Sequence, residues 1–220
     1  MANIQIGTAA GTTLGNPPSG DFYIFIDSDN ANAYTLRNSA GTDTILGSPN
    51  PATLYGLYSQ TANSATINTT GEQSIVGSGV GSLSIPADAF IVGDSFHAKI
   101  GGVLNATGGG GRSELIVKIK TCAIVLASTG VFDLDTATNQ GWECELDFTI
   151  ATIGATGSIC TNGNFAYVKD NDRKVSGYIF QDVQTIDTTI SNTLDITVEW
   201  NVLNAGDDIY SANFVLYKTY

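Results

Sequence analysis

The feature of the sequence that most constrains its fold is the alternation of apolar and polar residues. In WECELDFT (142–149), one side of an extended chain carries apolar side chains and the other carries carboxylates. The apolar residues are Trp142, Cys144, Leu146 and Phe148, and the carboxylates are Glu143, Glu145 and Asp147. SFHAKI (95–100) and TLDITVEW (193–200) repeat the pattern. Because successive side chains of a strand point to opposite faces, each stretch predicts a strand with one face in a core and one in solvent.

The number of such stretches predicts the fold class. No stretch of ten or more residues carries the i, i+3, i+4, i+7 apolar stripe of a helix. The predicted strands of the main part are 53–59, 64–68, 72–77, 81–85, 95–104, 113–120, 123–128, 142–151, 157–168, 176–180, 193–201 and 208–219. Turn-forming residues, interpreted as turns between strands, occur at 108–111, 139–141, 162–164, 170–172 and 204–207. Two packed antiparallel sheets, a jelly-roll β-sandwich, accommodate this number of strands.

A domain boundary is predicted at GSPNPA (47–52), where two prolines follow a glycine. Residues 1–52 then form a small N-terminal module and residues 53–220 form the jelly-roll head. Within the module, the first 20 residues are expected to be an extended arm, and the following segment predicts a hairpin with an aromatic first strand, FYIFIDS. An isolated hairpin cannot bury both of its faces, so the module is expected to lean on the head, on a second copy or on a larger body.

Charge and hydropathy exclude several classes of partner. The net charge is −12, so phosphate backbones and anionic membranes would repel the chain, and direct nucleic-acid binding is not expected. No apolar run approaches the ~20 residues that a membrane span needs. The N-terminal stretch MANIQIGTAAGTT has neither the basic nor the apolar region of a secretory signal.

The three cysteines predict thiols rather than a framework of bridges. The count is odd and there is no CxxC pair, which argues against a disulfide scaffold and a zinc site. Alternation places Cys144 in the core, where it acts as a small apolar residue. A Cys122–Cys160 bridge is the minor alternative. Free thiols favour assembly in a reducing compartment.

The three carboxylates of WECELDFT raise the question of catalysis. A glycosidase needs two carboxylates across a cleft, one with a raised pKa, and residues two apart on a strand lie ~7 Å from each other. The alternative is a solvated face, neutralised by cross-strand lysines. IVKIKT is expected to supply those lysines, Lys118 and Lys120, from the adjacent strand. The solvated face is the favoured interpretation, and Asp133 and Asp135 are interpreted in the same way.

Other candidate sites are weaker. His97 is the only histidine and lies on the polar side of its strand. The glycines at 108–111 precede Arg112-Ser113, so they do not form a phosphate-binding loop. Calcium is the best cofactor candidate, through 27–30 or 170–172, but neither fits the twelve-residue calcium loop. Asn68 and Asn105 begin glycosylation sequons by pattern only. The prediction is therefore a non-enzymatic protein with no catalytic, cofactor or metal residues.

Several stretches together resemble a known kind of module. They are GSGVGSLSIPADAFIVGDSF (77–96), ECELDFTI (143–150) and the closing residues 192–220, within a region that begins near Leu54. This region is similar to the trimeric jelly-roll heads of the tumour-necrosis-factor/C1q type found in structural proteins of bacteriophages and other DNA viruses. The upstream hairpin resembles a small module that precedes such heads. These stretches are scaffolding rather than catalytic signatures.

The resemblance implies a homotrimer on a virus particle, as a fibre head, spike or capsid decoration for host attachment or particle stabilisation. The N-terminal part would bind other virion proteins, and the protein would be assembled in the host cytoplasm. Tyr210, Tyr217 and Tyr220 suit an interface between subunits, and the loops 105–112 and 136–141 suit a host receptor or glycan. The rival hypothesis is a calcium-dependent lectin-like module, which the position of Trp142 and Trp200 on apolar faces disfavours.

Overall fold

The structure is a computed structural model that describes residues 4–9, 15–19, 21–27, 33–47, 57–108, 112–170 and 175–220. The chain divides into two compact units, Met1–Tyr55 and Gly56–Tyr220. The predicted boundary at GSPNPA lies outside the described residues except for Gly47.

The first unit is a four-stranded sheet. Its strands are β1 (Ile4–Ala9), β2 (Phe22–Asp27), β3 (Ala33–Asn38) and β4 (Asp43–Gly47), in that spatial order. The predicted hairpin is the antiparallel pair β2–β3. The prediction of an extended arm is wrong for β1, which pairs in parallel with β2. The arm prediction relied on composition, which carries no information about a strand that pairs with a later segment.

One ion pair links β3 to β4 in this unit. Arg37 donates from Nε and Nη2 to the two carboxylate oxygens of Asp43, at 2.6 and 2.5 Å. Its guanidinium also lies 5.6 Å from the ring centre of the buried Phe25. The hydrogen bond from Arg37 holds the pKa of Asp43 below its ordinary value. Phe25, on the aromatic strand β2, therefore packs against the arginine of this ion pair.

The second unit is an all-β sandwich, and the described residues contain no helix. Its strands are β5 (Tyr58–Gln60), β6 (Gln73–Ser74), β7 (Gly79–Gly81), β8 (Ser84–Ile85), β9 (Ser95–Ala106), β10 (Ser113–Thr121), β11 (Ile124–Ser128), β12 (Phe132–Leu134), β13 (Ala137–Thr152), β14 (Gly157–Val168), β15 (Val175–Ile186), β16 (Asn192–Val202) and β17 (Asp208–Lys218). A seven-stranded sheet has the order β15-β14-β13-β9-β17-β5-β7. A six-stranded sheet has the order β11-β10-β16-β6, with β12 also paired to β10 and β8 to β16. Every pair in this unit is antiparallel, which confirms the predicted jelly-roll-like fold.

One core lies between the inward faces of the two sheets. It contains the apolar residues that alternation assigned to the interior of 95–100, 142–148 and 194–200. Trp142 stacks on Phe165, with ring centres 5.7 Å apart, and donates from Nε1 to the carbonyl of Tyr210. Trp200 Nε1 donates to the carbonyl of Ile67 at 3.2 Å. The tryptophans therefore fill the core without leaving their polar atoms unpaired.

Two predicted turns lie inside strands instead. Asn139 has a φ of 54° in a bulge near the start of β13, where its N–H donates to the side-chain oxygen of Asn105 at 2.6 Å. Asn162-Gly163-Asn164 runs through the middle of β14. A Cβ on Gly163 would meet the carbonyl oxygen of Glu145, and would lie 2.8 Å from Leu146 and 2.9 Å from Phe180. This glycine admits core side chains rather than reversing the chain.

Gly163 provides a test of this assignment. We expect Gly163→Ala to lower the free energy of unfolding by about 2 kcal/mol, because the added methyl group overpacks the core. The matched control is Gly141→Ala, since a Cβ there has no atom within 4 Å. We expect the control to change stability by less than about 0.5 kcal/mol.

The measurement is urea unfolding followed by tryptophan fluorescence. Both tryptophans of the chain, Trp142 and Trp200, lie in the sandwich, so the signal reports on that unit. Equal midpoints for the two variants would contradict the placement of Gly163 within β14.

Candidate functional site

The outward face of the seven-stranded sheet carries the carboxylates of WECELDFT. The register places Glu145 opposite Lys99 and Asp147 opposite His97, on β9. Lys99 Nζ lies 3.1 Å from Glu143 and also pairs with Glu145. The hydrogen bonds that Lys99 donates to Glu145 and Glu143 raise the pKa of Lys99. The predicted ion-paired face therefore exists, and its cation comes from SFHAKI.

The prediction that Lys118 and Lys120 lie beside these carboxylates is wrong. Both lysines are on β10, which belongs to the six-stranded sheet. The neighbours of β13 are β9 and β14. Alternation assigns a residue to a face of its own strand, but it does not reveal which strand pairs with which.

Lys118 and Lys120 instead form a second ion network on the other sheet. Glu72 lies 2.7 Å from each lysine, and Lys118 lies 2.7 Å from Glu199. Hydrogen bonds from Lys118 and Lys120 lower the pKa of Glu72 from 4.5 to about 2. The hydrogen bonds that Lys118 donates to Glu199 and Glu72 raise the pKa of Lys118. The sequence did not indicate Glu72 as a partner of the lysines. Glu72 lies 46 residues before Lys118 in the chain, next to the two-residue strand β6.

The only histidine lies at the end of the first network. His97 Nδ1 is 2.9 Å from Asp147 Oδ1, and its ring centre is 5.1 Å from that of Tyr217. The Asp147 side chain is 69% exposed. A general acid of the glycosidase kind needs a carboxyl group that is kept protonated by burial or by a like charge. Glu143 and Glu145 share the Lys99 ammonium group, and Asp147 is largely exposed, so neither burial nor a like charge of this kind is found here.

Asp133 and Asp135 are also paired with cations. Asp133 pairs with Arg112, and Asp135 pairs with Lys169. The predicted solvated character of both aspartates agrees with this placement.

Other carboxylates tie together loops at the end of the sandwich where β9 ends. Asp207 accepts from the N–H and hydroxyl of Thr107, at 2.7 and 2.8 Å. Asp170 accepts from the N–H and hydroxyl of Thr138, and these bonds lower its pKa. The predicted recognition loop 136–141 is thus mostly the beginning of β13, held by Asp170.

The candidate calcium segments can be followed only in part. Residues 28–30 and 171–172, and residues 109–111 of the glycine run, lie outside the described residues. Within the described ranges, no group of three or more His, Cys, Asp or Glu is placed to hold a metal ion. Of the sequons, Asn68 is exposed, and Asn105 donates to Asp208 at 2.9 Å.

The opposite end of the sandwich is apolar. We call "apolar end" the five exposed side chains Ile91, Val92, Ile153, Ile190 and Tyr220, which are between 52% and 79% exposed. They lie on three loops and the final residues. The loops are joined by hydrogen bonds, since Thr188 donates to the carbonyl of Gly154 and accepts from the N–H of Asp88, both at 3.0 Å.

An ion pair between the buried Asp94 and the exposed Lys218 fixes the loop that carries Ile91. Asp94 Oδ1 lies 2.5 Å from Lys218 Nζ, and Asp94 Oδ2 accepts from the N–H of Ile91 at 3.1 Å. Tyr220 is held by hydrogen bonds in both directions with Ser95. The exposed side chains are therefore presented by an ordered framework, which composition alone could not have indicated.

The three tyrosines expected to suit a subunit interface lie in different parts of the sandwich. Tyr220 belongs to the apolar end, and Tyr217 lies on the outward face near it, opposite His97. Tyr210 pairs with Val103, towards the other end of the sheet. Any contact that uses Tyr217 and Tyr220 together does not reach Tyr210.

All three cysteines are free, with Cys144 buried and Cys122 and Cys160 exposed. Burial raises the pKa of Cys144 to about 12. The predicted core position of Cys144 is confirmed.

The concave features are small or shallow. An apolar cavity of about 30 Å³ lies between the sheets, beside Phe96 and Phe148. A surface groove of about 340 Å³ is lined by Val131, Phe132, Asp133, Tyr167, Gly177 and Tyr178. A second groove of about 330 Å³ lies beside Trp142, Glu143 and Tyr167. Either groove is large enough to hold part of a ligand, and the cavity is not.

The comparisons with known proteins give no relative from which to transfer a role. No protein-family model, curated protein or solved structure matched the chain. The described segments also include no helix long and apolar enough to cross a membrane.

The Glu72 network predicts a pH-dependent contribution to stability. Because the pKa of Glu72 is about 2 in the folded chain, against 4.5 without its partners, its contribution is complete above about pH 4.5 and is lost as the pH falls towards 2. We expect Glu72→Gln to lower the free energy of unfolding by about 1–2 kcal/mol at pH 7. The difference from the wild type should vanish near pH 2.

The measurement is urea unfolding at a series of pH values, with Lys118→Met and the double variant completing a cycle. A coupling energy of zero, or a Glu72→Gln effect that does not change with pH, would contradict the network.

Proposed function

We propose that the chain is a non-enzymatic structural protein of a virus particle, with a β-sandwich head that assembles as a homotrimer. The observation that carries the assembly is the apolar end. Single exposed apolar residues are common, but a group of five at one end of the sandwich, on loops joined by hydrogen bonds, is typical of a contact surface. The viral location and the threefold symmetry are supported by the resemblance of residues 77–96, 143–150 and 192–220 to trimeric heads.

The distribution of charge supports a structural role rather than catalysis. The carboxylates that first suggested chemistry are matched by Lys99 and His97 on the neighbouring strand. The free thiols support assembly in a reducing compartment such as a host cytoplasm. In this proposal, residues 1–52 attach to other virion proteins, and the head serves host attachment or particle stabilisation.

The mass of the purified protein in solution tests the proposal. We expect size-exclusion chromatography with light scattering to give three times the 23.0 kDa of one chain. A variant with Ile91→Lys and Ile153→Lys should give the mass of one chain, because six charges would be buried in the trimer contact. The control is Val202→Lys, at the opposite end of the sandwich. A monomeric wild type would contradict the proposal.

A deletion of residues 1–52 addresses where the contact lies. We expect the remaining chain to stay trimeric with an unchanged tryptophan unfolding midpoint. A monomeric but folded deletion variant would place the contact in the N-terminal part instead.

The groove beside Tyr178 favours a second candidate, a lectin-like module. Tyr178 is partly exposed, and its ring centre is 5.6 Å from that of Phe132, with the Asp133 carboxylate at the same groove. An aromatic surface with a carboxylate is a suitable platform for a sugar ring. Both tryptophans lie in the core, which removes the strongest stacking groups.

Glycan-array binding with and without EDTA separates the two candidates. A lectin would bind glycans, and Tyr178→Ala would abolish that binding while Tyr217→Ala would not. Loss of binding in EDTA would add calcium to the site. A structural head without a glycan receptor would bind no glycan.

A further inference from the structure

The strand β15 forms a long free edge of the seven-stranded sheet. It has 12 residues and pairs with β14 on one side, and no described strand pairs with its other side. Ile179 is 83% exposed and Val183 is 60% exposed, both on the outward face. Their positions follow from the register, which pairs Ile179 with Asn164 and Val183 with Cys160. Long edges with exposed apolar side chains are templates for pairing with another strand.

The free edge presents its hydrogen-bonding groups at the odd-numbered residues. The N–H of Val183 donates to the carboxylate of its neighbour Asp182 at 2.8 Å, which indicates that this N–H points away from β14. In an antiparallel pair these groups alternate in direction, so the N–H groups of Ile179 and Gln181 also point away from β14. The strand therefore offers backbone groups to a new partner on its outer side. β11 of the six-stranded sheet comes within 8 Å of β15 between Cα atoms without pairing with it, so a partner must fit beside β11.

The sequence of β15 is complementary to itself about one residue. In an antiparallel pair centred on Gln181, Ile179 of one copy lies opposite Val183 of the other, on the same face. The same register places Asp182 opposite Phe180. Centring on Asp182 would place two carboxylates against each other, and centring on Phe180 would place Ile179 opposite Gln181. Cross-strand apolar pairs stabilise a sheet and opposed like charges destabilise it, so the Gln181-centred register is favoured.

We propose that β15 is a self-pairing edge, through which two copies of this chain join around a twofold axis centred on Gln181. The join makes one continuous sheet from two seven-stranded sheets. It lies along a different part of the sandwich from the apolar end and goes beyond the trimer, because it links a head of one assembly to a head of another.

Asp182 limits the strength of this contact. Its two carboxylate oxygens accept from the N–H of Val183 and from the side-chain amide of Gln184, both at 2.8 Å. The Val183 N–H must leave this carboxylate before it can pair with a second copy. A charged residue that caps an edge is a common protection against uncontrolled pairing. The twofold contact is therefore weaker than the uncapped edge would allow.

The test is the mass of the full chain over a concentration series, measured by light scattering. The wild type should rise above its low-concentration mass as the concentration increases. Asp182→Ala should show the same rise at a concentration about five- to tenfold lower, because one amide per strand no longer has an internal partner to lose. Ile179→Lys should keep the low-concentration mass and abolish the rise.

Two further variants test whether the effect of Ile179→Lys is specific to the edge of β15. Val80→Lys changes another exposed apolar residue, on β7 at the other edge of the same sheet, and should behave as the wild type. Gln181→Pro removes one outward N–H with little change to the surface, which an edge strand tolerates, and should also abolish the rise. Tryptophan fluorescence confirms that each variant is folded.

The outcomes separate this inference from the proposed function. A low-concentration mass other than three chains contradicts the trimer. The self-pairing edge is still tested in that case, because Ile179→Lys should abolish the rise in mass whatever the starting mass is. A rise that survives Ile179→Lys and Gln181→Pro overturns the self-pairing edge. A mass that stays constant for the wild type and for Asp182→Ala also overturns it, and would point to a strand of a different protein as the partner.

Discussion

Burial of a single core between two sheets is the interaction on which the rest of the sandwich depends. The inward faces meet around Trp142, Phe165 and Trp200, each of which is almost completely buried. Because side chains alternate strictly along a strand, slipping one strand by a single residue would move its apolar set into water. The core therefore fixes the register, and the register in turn fixes which charges face each other outside. The pairs of Lys99 with Glu145 and of His97 with Asp147 are consequences of that packing.

The sequence predicted those features that depend on one strand alone. The inward and outward faces of 95–100, 142–148 and 194–200 follow from alternation, and so does the buried position of Cys144. Features that depend on pairing were not predictable in this way. The partner of Glu145 proved to be Lys99 rather than Lys118, because the sheet that a strand joins is decided by the whole topology.

Small residues misled the prediction for a related reason. Asn139 and Gly163 have the chemistry of turn residues, and both lie in strands. A glycine reverses a chain when a positive φ is needed, and it admits a close neighbour when a Cβ would collide. Only the fold reveals which of the two applies, since Gly163 lies between Leu146 and Phe180, which come from different parts of the chain. The apolar end escaped detection because its residues come from four separate segments.

The surface of the sandwich divides into regions with different capacities for association. On the broad outward face, the central charges already have internal partners, so a second protein would have to displace those pairs and desolvate them. At the apolar end and along β15, exposed apolar side chains and free backbone groups gain from being covered. In the proposed assemblies, the favourable free energy of association would therefore come from the apolar end and from the edge of β15. The centre of the outward face would contribute little.

The cysteines offer an experimental consequence of this arrangement. Cys144 lies in the core with a pKa of about 12, so almost none of it is thiolate at neutral pH. Cys160 is exposed on the outward face, opposite Val183 and one strand away from the free edge. Once Cys122 is replaced, a maleimide dye would attach to Cys160 alone. The native chain thus contains its own attachment point for a fluorescent reporter, close enough to β15 to sense whether that edge is covered.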